Sequence, residues 1–332
     1  MTDPVVLDIA GASMGGAARW VAELDAFLAH GGRPVRVVGR LRPLTPGWLV
    51  RRQRHAVRAG LVVAANNVSF AAGGGQRRVV LRNALHFLHP AEEHLLTAMP
   101  RAFRAQIPLV RRLLTRSDLV VAPSSTMAER VRSRVPAVRD RIVVRPHPVT
   151  PVGHRIPPRR PFILVPVLPA PYKNLVPELL ALVGVLDRLR DPAEVWVTAR
   201  PRDLPDPLSG HPRLTALGTV PVRDLAGLWR RAAAAFFPST TESFGYPLAE
   251  ARVYGVPVLA PDSGQAREVA GAALLPYRPG DAGSLAAAVE RRREPVPAQP
   301  HAFDRDGYFR WLLRPATGHS ASRSREPDGI AT

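Results

Sequence analysis

Glu242 and Glu250 stand eight positions apart in the stretch Phe237-Pro-Ser-Thr-Thr-Glu-Ser-Phe-Gly-Tyr-Pro-Leu-Ala-Glu250. A strand that ends near Pro238 leaves Glu242 in a loop at its carboxyl end. Pro247 falls at the first helical position, where its missing N–H costs nothing, so Glu250 belongs to the helix that follows. Gly255 stops that helix and Pro257 opens the next strand. The amides of Phe244 and Gly245 at such a helix start make a ready anion site. Two carboxylates beside a phosphate-binding helix end suit a sugar nucleotide, phosphates on the amides and hydroxyls on the carboxylates. A surface loop followed by a solvated helix glutamate is the competing reading of the same spacing.

Lys173, in Pro-Tyr-Lys-Asn-Leu, is the only lysine in the chain. It follows a predicted strand and precedes a helix, where a compact ammonium suits a leaving diphosphate; an ordinary surface lysine is the alternative. Gly15-Gly16 would let backbone approach a ligand at a helix start, or would simply make a tight turn. The loop is Gly-x3-Gly-Gly, so no dinucleotide is implied. Asn83 and His86 follow another strand, where His86 either faces a cleft towards sugar or acceptor or is a satisfied structural histidine. His147, among prolines, is expected to be structural. A DxD clamp opening after a strand is absent from the sequence, so neither metal nor cofactor is expected. Ser239 and Ser243 have no His and Asp at triad spacing, which argues against hydrolase chemistry.

The elements that must position these residues alternate short apolar runs with amphipathic helices. Strands are expected at 5–9, 35–38, 61–65, 79–82 and 119–122, with a helix at 17–29 closed by Gly31-Gly32. Six prolines crowd into residues 146–161, which reads as a linker. The pattern restarts with strands at 162–167, 194–199, 214–217, 234–237 and 256–260. Helices are expected between them at 175–189, 222–232, 247–254 and 282–292. The fold class is α/β, in two doubly wound Rossmann-like domains whose ligands lie beyond the carboxyl ends of the strands. The expected boundaries are 1–150 for an acceptor domain, 151–295 for a donor domain, 296–314 for a segment packing back on the first domain, and 315–332 for a disordered tail.

Composition narrows the classes further. The 332 residues carry no cysteine, which excludes disulfides, thiolate metal sites and a cysteine nucleophile. Hydrophobic residues make up 46%, enough for a large core and against wholesale disorder. The net charge of +19 is almost all arginine, in pairs and triplets spread along the chain. Aromatics are only 6%, so stacking platforms for single strands are scarce and no specific nucleic-acid partner is expected. Dispersed, solvated charge is the leading reading, ahead of an anionic membrane surface. With no secretory signal or spanning segment expected, the location is read as cytoplasmic, with peripheral contact at the inner membrane face as an option.

The segment Glu-Ser-Phe-Gly-Tyr-Pro-Leu-Ala-Glu resembles the double-glutamate motif of retaining glycosyltransferases of family 4, which have the GT-B fold. Ala-Ala-Phe-Phe-Pro-Ser before it, and Gly-Val-Pro-Val-Leu-Ala-Pro and Ala-Arg-Glu-Val-Ala-Gly after it, are similar to the family too. The resemblance is dense from about residue 162 to 290. It implies a metal-independent transfer of a sugar from a nucleotide-sugar donor to an acceptor hydroxyl. Glu250 would hold the ribose hydroxyls, Glu242 would lie near the donor sugar, Ser243, Phe244 and Gly245 would line sugar and phosphate, and Lys173 would be the diphosphate lysine. Gly15, Gly16, Asn83 and His86 would then face the acceptor. The family's glycine and arginine before the lysine are replaced here by Val167 and Leu168, so one diphosphate contact is missing. The implied acceptor is a glycan or lipid-linked carrier of envelope synthesis. The alternatives are a small soluble natural product, or a glycosyltransferase-like binding protein with weak or no activity.

Overall fold

The computed structural model describes residues 4–31, 34–73, 75–156 and 160–315. Gly32, Pro157 and Pro158, and the expected tail from residue 316 onward, lie outside the described residues.

Apolar runs such as Val-Val-Leu-Asp, Leu-Val-Val-Ala and Phe-Ile-Leu-Val are buried along their whole length, as strands covered by helices on both faces must be. The first sheet contains β1 (Val5–Asp8), β2 (Val35–Val38), β3 (Leu61–Ala64), β4 (Gln76–Val80), β5 (Leu119–Ala122) and β6 (Ile142–Val144). Its six strands are parallel, in the order β2-β1-β3-β4-β5-β6. The second contains β7 (Phe162–Val165), β8 (Glu194–Val197), β9 (Leu214–Ala216), β10 (Ala234–Phe236), β11 (Val258–Pro261) and β12 (Leu274–Tyr277). Its order is β12-β11-β10-β7-β8-β9, again parallel. Two doubly wound α/β units therefore face one another.

The helices of the first unit are α1 (Gly15–Ala29), α2 (Pro46–Arg51), α3 (Gln53–Ala56), α4 (Arg101–Leu114) and α5 (Ser125–Arg134). Those that follow are α6 (Leu175–Arg188), α7 (Val222–Trp229), α8 (Tyr246–Tyr254), α9 (Gly264–Ala270), α10 (Ala282–Arg291) and α11 (Arg305–Leu312). Sequence patterning missed β6, β12, α2, α3, α4, α5, α9 and α11. α4 carries Pro108 in its interior, which reads locally as a break.

Three expectations are corrected. β4 spans Gln76–Val80 instead of 79–82, because Gln76 pairs with Leu61 while the Asn67 side chain accepts the N–H groups of Arg82 and Asn83 and draws them off the ladder. α7 ends at Trp229, three residues earlier than expected. The cluster Arg51 to Arg54 is not uniformly solvated. Arg52 is fully buried, donating to Asp8 Oδ2 at 2.6 Å and to the carbonyls of Val68 and Ser69. Asp8 also accepts from Trp48 Nε1 and Asn66 Nδ2, so all its lone-pair directions are used, as a buried carboxylate requires.

α11 crosses back onto the first unit. Phe309 lies 5.2 Å from the Trp20 ring and 5.3 Å from Phe27, and Arg78 donates to the carbonyls of Trp311 and Leu312. The same apolar cluster continues through Tyr308 and Phe303 to Phe244 and Tyr246 in the second unit. Phe309→Ala should therefore destabilise the whole chain by about 3–5 kcal/mol. Urea denaturation followed by tryptophan fluorescence checks this; an unchanged midpoint would mean that α11 does not carry the junction.

Candidate active site

A cavity of about 820 Å³ lies between the two units, within the range of small-molecule sites. Its wall includes every residue singled out from the sequence: Gly15, Gly16, Asn83, His86, Lys173, Glu242, Ser243, Phe244, Gly245 and Glu250. The second unit contributes the loop after β10 and the start of α8. Gly245 caps α8 with φ +80°, a left-handed backbone that a side chain would strain, and Pro247 follows inside the first turn. First-unit groups clamp that loop: Ser124 Oγ donates to the Ser243 carbonyl at 2.9 Å, and Arg130 donates to the Glu242 carbonyl at 3.1 Å.

Lys173 and Glu242 meet, with Nζ 3.1 Å from Oε1. Lys173 sits in a short 3₁₀ turn, and Asn174 takes a left-handed backbone, φ +49°, to start α6. Burial opposes the lysine's charge, but Glu242 more than offsets it and its pKa is raised. The ammonium therefore stays charged through neutral pH.

Glu250 is not a solvated helix glutamate. It is the fifth residue of α8, just past the first turn, and is only 4% exposed. Oε1 accepts from Arg19 Nε at 3.0 Å and Oε2 from Trp229 Nε1 at 2.9 Å. Burial raises its pKa against the pull of Arg19. Arg19 belongs to α1 and also contacts Glu23 at 2.6 Å and the Thr150 carbonyl at 3.1 Å. One network thus joins the first unit, the linker and the second unit.

Two glycines let the units touch. A Cβ on Gly15 would come 2.8 Å from Leu168 Cδ1, and one on Gly16 would come 2.9 Å from the Tyr246 ring. Val167 is buried, while Leu168 lines the cleft.

His86 presents a defined donor. Asn67 Oδ1 accepts from the Arg82 amide at 2.6 Å, which fixes the side-chain amide's orientation. Its Nδ2 must therefore donate to His86 Nδ1, 2.9 Å away. Nδ1 being the acceptor, the neutral ring carries its proton on Nε2, and that N–H has no partner among the described residues. The ring stacks on Phe103 at 5.1 Å, and burial lowers its pKa to about 4. His147 packs against Tyr246 and Phe244, with its pKa pushed to about 3 by burial and then by Arg82. Sequence reading missed Arg19, Arg82, Ser124, Arg130, Trp229 and Tyr246. Tyr246 lies inside the double-glutamate segment and Arg82 at the end of the strand expected before Asn83, but nothing local marks Arg19, Arg130 or Trp229. No group of three or more potential metal-ligating side chains occurs among the described residues.

Residues 174–293 match the glycosyl transferases group 1 family. No curated protein matches the chain. The fold is similar to that of sucrose-phosphate synthase from Thermosynechococcus elongatus, with 17% identity, a TM-score of 0.61 and coverage of 94% of this chain and 95% of that one. It is also similar to Anabaena HepE in complex with UDP and glucose, with 14% identity, a TM-score of 0.61 and coverage of 94% and 96%. WaaG, a glycosyltransferase involved in lipopolysaccharide biosynthesis, shows 15% identity and a TM-score of 0.63, with coverage of 93% and 96%.

His147 and His86 give this site an acid limit. Both have folded pKa values below the usual value near 6.5, so the unfolded chain binds protons first as pH falls. Their contribution is present above about pH 6.5 and is lost as pH falls towards about 4 for His86 and about 3 for His147, at about 1.4 kcal/mol per pH unit for each. Melting temperature against pH should fall below about 6.5, and His147→Leu should make that limb shallower. A limb of unchanged slope would remove His147 as its source.

Proposed function

We propose that this chain is a glycosyltransferase that transfers a sugar with retention, the donor on the second unit and the acceptor on the first; the group 1 match over residues 174–293 and the fold it shares with solved glycosyltransferases support the reading. The Lys173–Glu242 pair at the cavity wall carries the reading, because it sets a partly buried cation and a carboxylate side by side between a strand end and a helix start. As the anomeric bond breaks, the ring gains oxocarbenium-like charge and the diphosphate gains negative charge. Lys173 and the amides near Phe244 and Gly245 stabilise the latter without a metal. The acceptor hydroxyl attacks from the same face, and its proton leaves on the departing phosphate oxygen. Glu242 orients the donor sugar. Glu250 receives the ribose hydroxyls, and Arg19 must yield part of its bond for that to happen.

Lys173→Ala should lower turnover about a hundredfold or more, with Lys173→Arg a partial rescue, since a planar guanidinium does not replace a point charge. Release of nucleoside diphosphate from a panel of nucleotide sugars reads this out. Wild-type turnover in the alanine variant would make Lys173 a surface lysine.

The acceptor reading is a lipid-linked carrier at an anionic membrane. Exposed Arg51, Arg54, Arg58, Arg101, Arg104 and Arg112 share the first unit with exposed apolar Val50, Val57 and Leu109. Each arginine near such a surface contributes about 1 kcal/mol. No helix among the described residues is long and apolar enough to cross a membrane, so contact would be peripheral. Flotation with anionic vesicles should show association at low salt that weakens at physiological salt. No association at low salt would leave a small soluble acceptor in its place.

A further inference from the structure

Arg82 is a cation without a carboxylate. It follows β4 and lines the cleft. Its Nε is buried with no partner, its Nη1 reaches only the Ala17 carbonyl at 3.5 Å, and no ion pair among the described residues includes it. Its guanidinium lies 5.9 Å from the Trp20 ring centroid, and the groups favouring its charge are the Tyr246 phenol, then Asp8, which is already bound to Arg52, and then the Tyr308 phenol. A partly buried cation whose Nε is sealed from water and unpaired is costly, and an anion arriving from outside would offset that cost.

The surroundings agree. α1, fifteen residues long, starts at Gly15 with no side-chain cap and no acidic residue in its first turn. Its free amides and the positive end of its dipole open on the same cleft wall. Tyr246, at the start of α8, packs against Gly16 and is 8% exposed, yet its hydroxyl has no hydrogen-bond partner among the described residues. Two helix starts, an unpaired guanidinium and an orphaned hydroxyl therefore open on one cleft. Across from Gly15 stands Leu168, an apolar residue where the family resemblance places an arginine.

We propose that Arg82 is the second cation of the donor diphosphate, supplied by the first unit in place of the arginine missing at Leu168. This rests on the nucleotide-sugar reading above and goes beyond it, because it makes diphosphate binding depend on both units. Lys173 and the α8 amides hold the diphosphate from one side; Arg82, the Tyr246 hydroxyl and the α1 amides hold it from the other. The donor then bridges the cleft, and its diphosphate supplies the negative charge that Arg82 lacks.

The test is calorimetry with UDP, GDP, ADP and dTDP, each beside its nucleoside. For whichever diphosphate the wild type binds, Arg82→Gln should weaken binding about ten- to a hundredfold while leaving nucleoside affinity unchanged. Adding Leu168→Arg to that variant should restore much of the loss, since it returns a cation to the second unit. Unchanged diphosphate affinity, or a parallel fall for diphosphate and nucleoside, overturns the assignment while the donor reading stands. No binding of any diphosphate by the wild type overturns both. If Arg82→Gln does not melt cooperatively, Arg82→Lys replaces it. It keeps the charge and loses the fork geometry, so a several-fold diphosphate-specific loss is expected, and no loss overturns the proposal.

Discussion

The carboxylate of Glu250 is the point on which the two units turn. A buried carboxylate is tolerated only when both oxygens are satisfied, and its two partners come from opposite sides: Arg19 from α1 and Trp229 from α7. Arg19 is in turn held by Glu23 and by the Thr150 carbonyl, and Glu23 accepts the Thr150 N–H at 2.7 Å and its hydroxyl at 2.9 Å. The relative placement of the units is thereby tied to a residue that, by its motif, should meet the nucleotide. Donor binding and cleft geometry cannot be independent in such an arrangement.

The cleft wall carries a second pattern. Glu242 is paired with Lys173 and Glu250 with Arg19. Each carboxylate expected to meet the sugar nucleotide thus holds a cation, which keeps both in place and limits the desolvation that burial would otherwise cost. Arg82 and the Nε2–H of His86 have no such counterpart. They are positive or donating groups on the cleft wall, and an oxygen-rich ligand is what they fit.

Apolar surface supports the polar geometry. Trp20, Phe27, Tyr308, Phe309, Phe244 and Tyr246 belong to one buried cluster that runs across the junction. Because α11 packs on α1 after the chain has completed the second sheet, the last described helix closes the first unit. Side chains packed at such density hold the cleft residues in position, and Gly15 and Gly16 admit Leu168 and Tyr246 at contact distance.

Local sequence determined the two parallel units, since runs such as Phe162–Val165 can be buried only between helices, and it determined the α8 start, since Gly245 and Pro247 permit little else at those positions. It also marked Lys173, Glu242 and Glu250, through the resemblance of its motifs to those of family 4 glycosyltransferases, and the cavity gathers all three. It did not reveal α4, where Pro108 masks the helix, or α11, whose partner α1 is nearly the whole chain away. Nor did it reveal that Glu250 is buried. Its partner Arg19 lies 231 positions earlier, and the same local spacing serves a solvated glutamate equally well. Arg82 is one arginine among 45 in the sequence. Only the folded chain, by surrounding it with Trp20, Tyr246 and Tyr308 and giving it no carboxylate, sets it apart, because pairing and desolvation belong to neighbours in space.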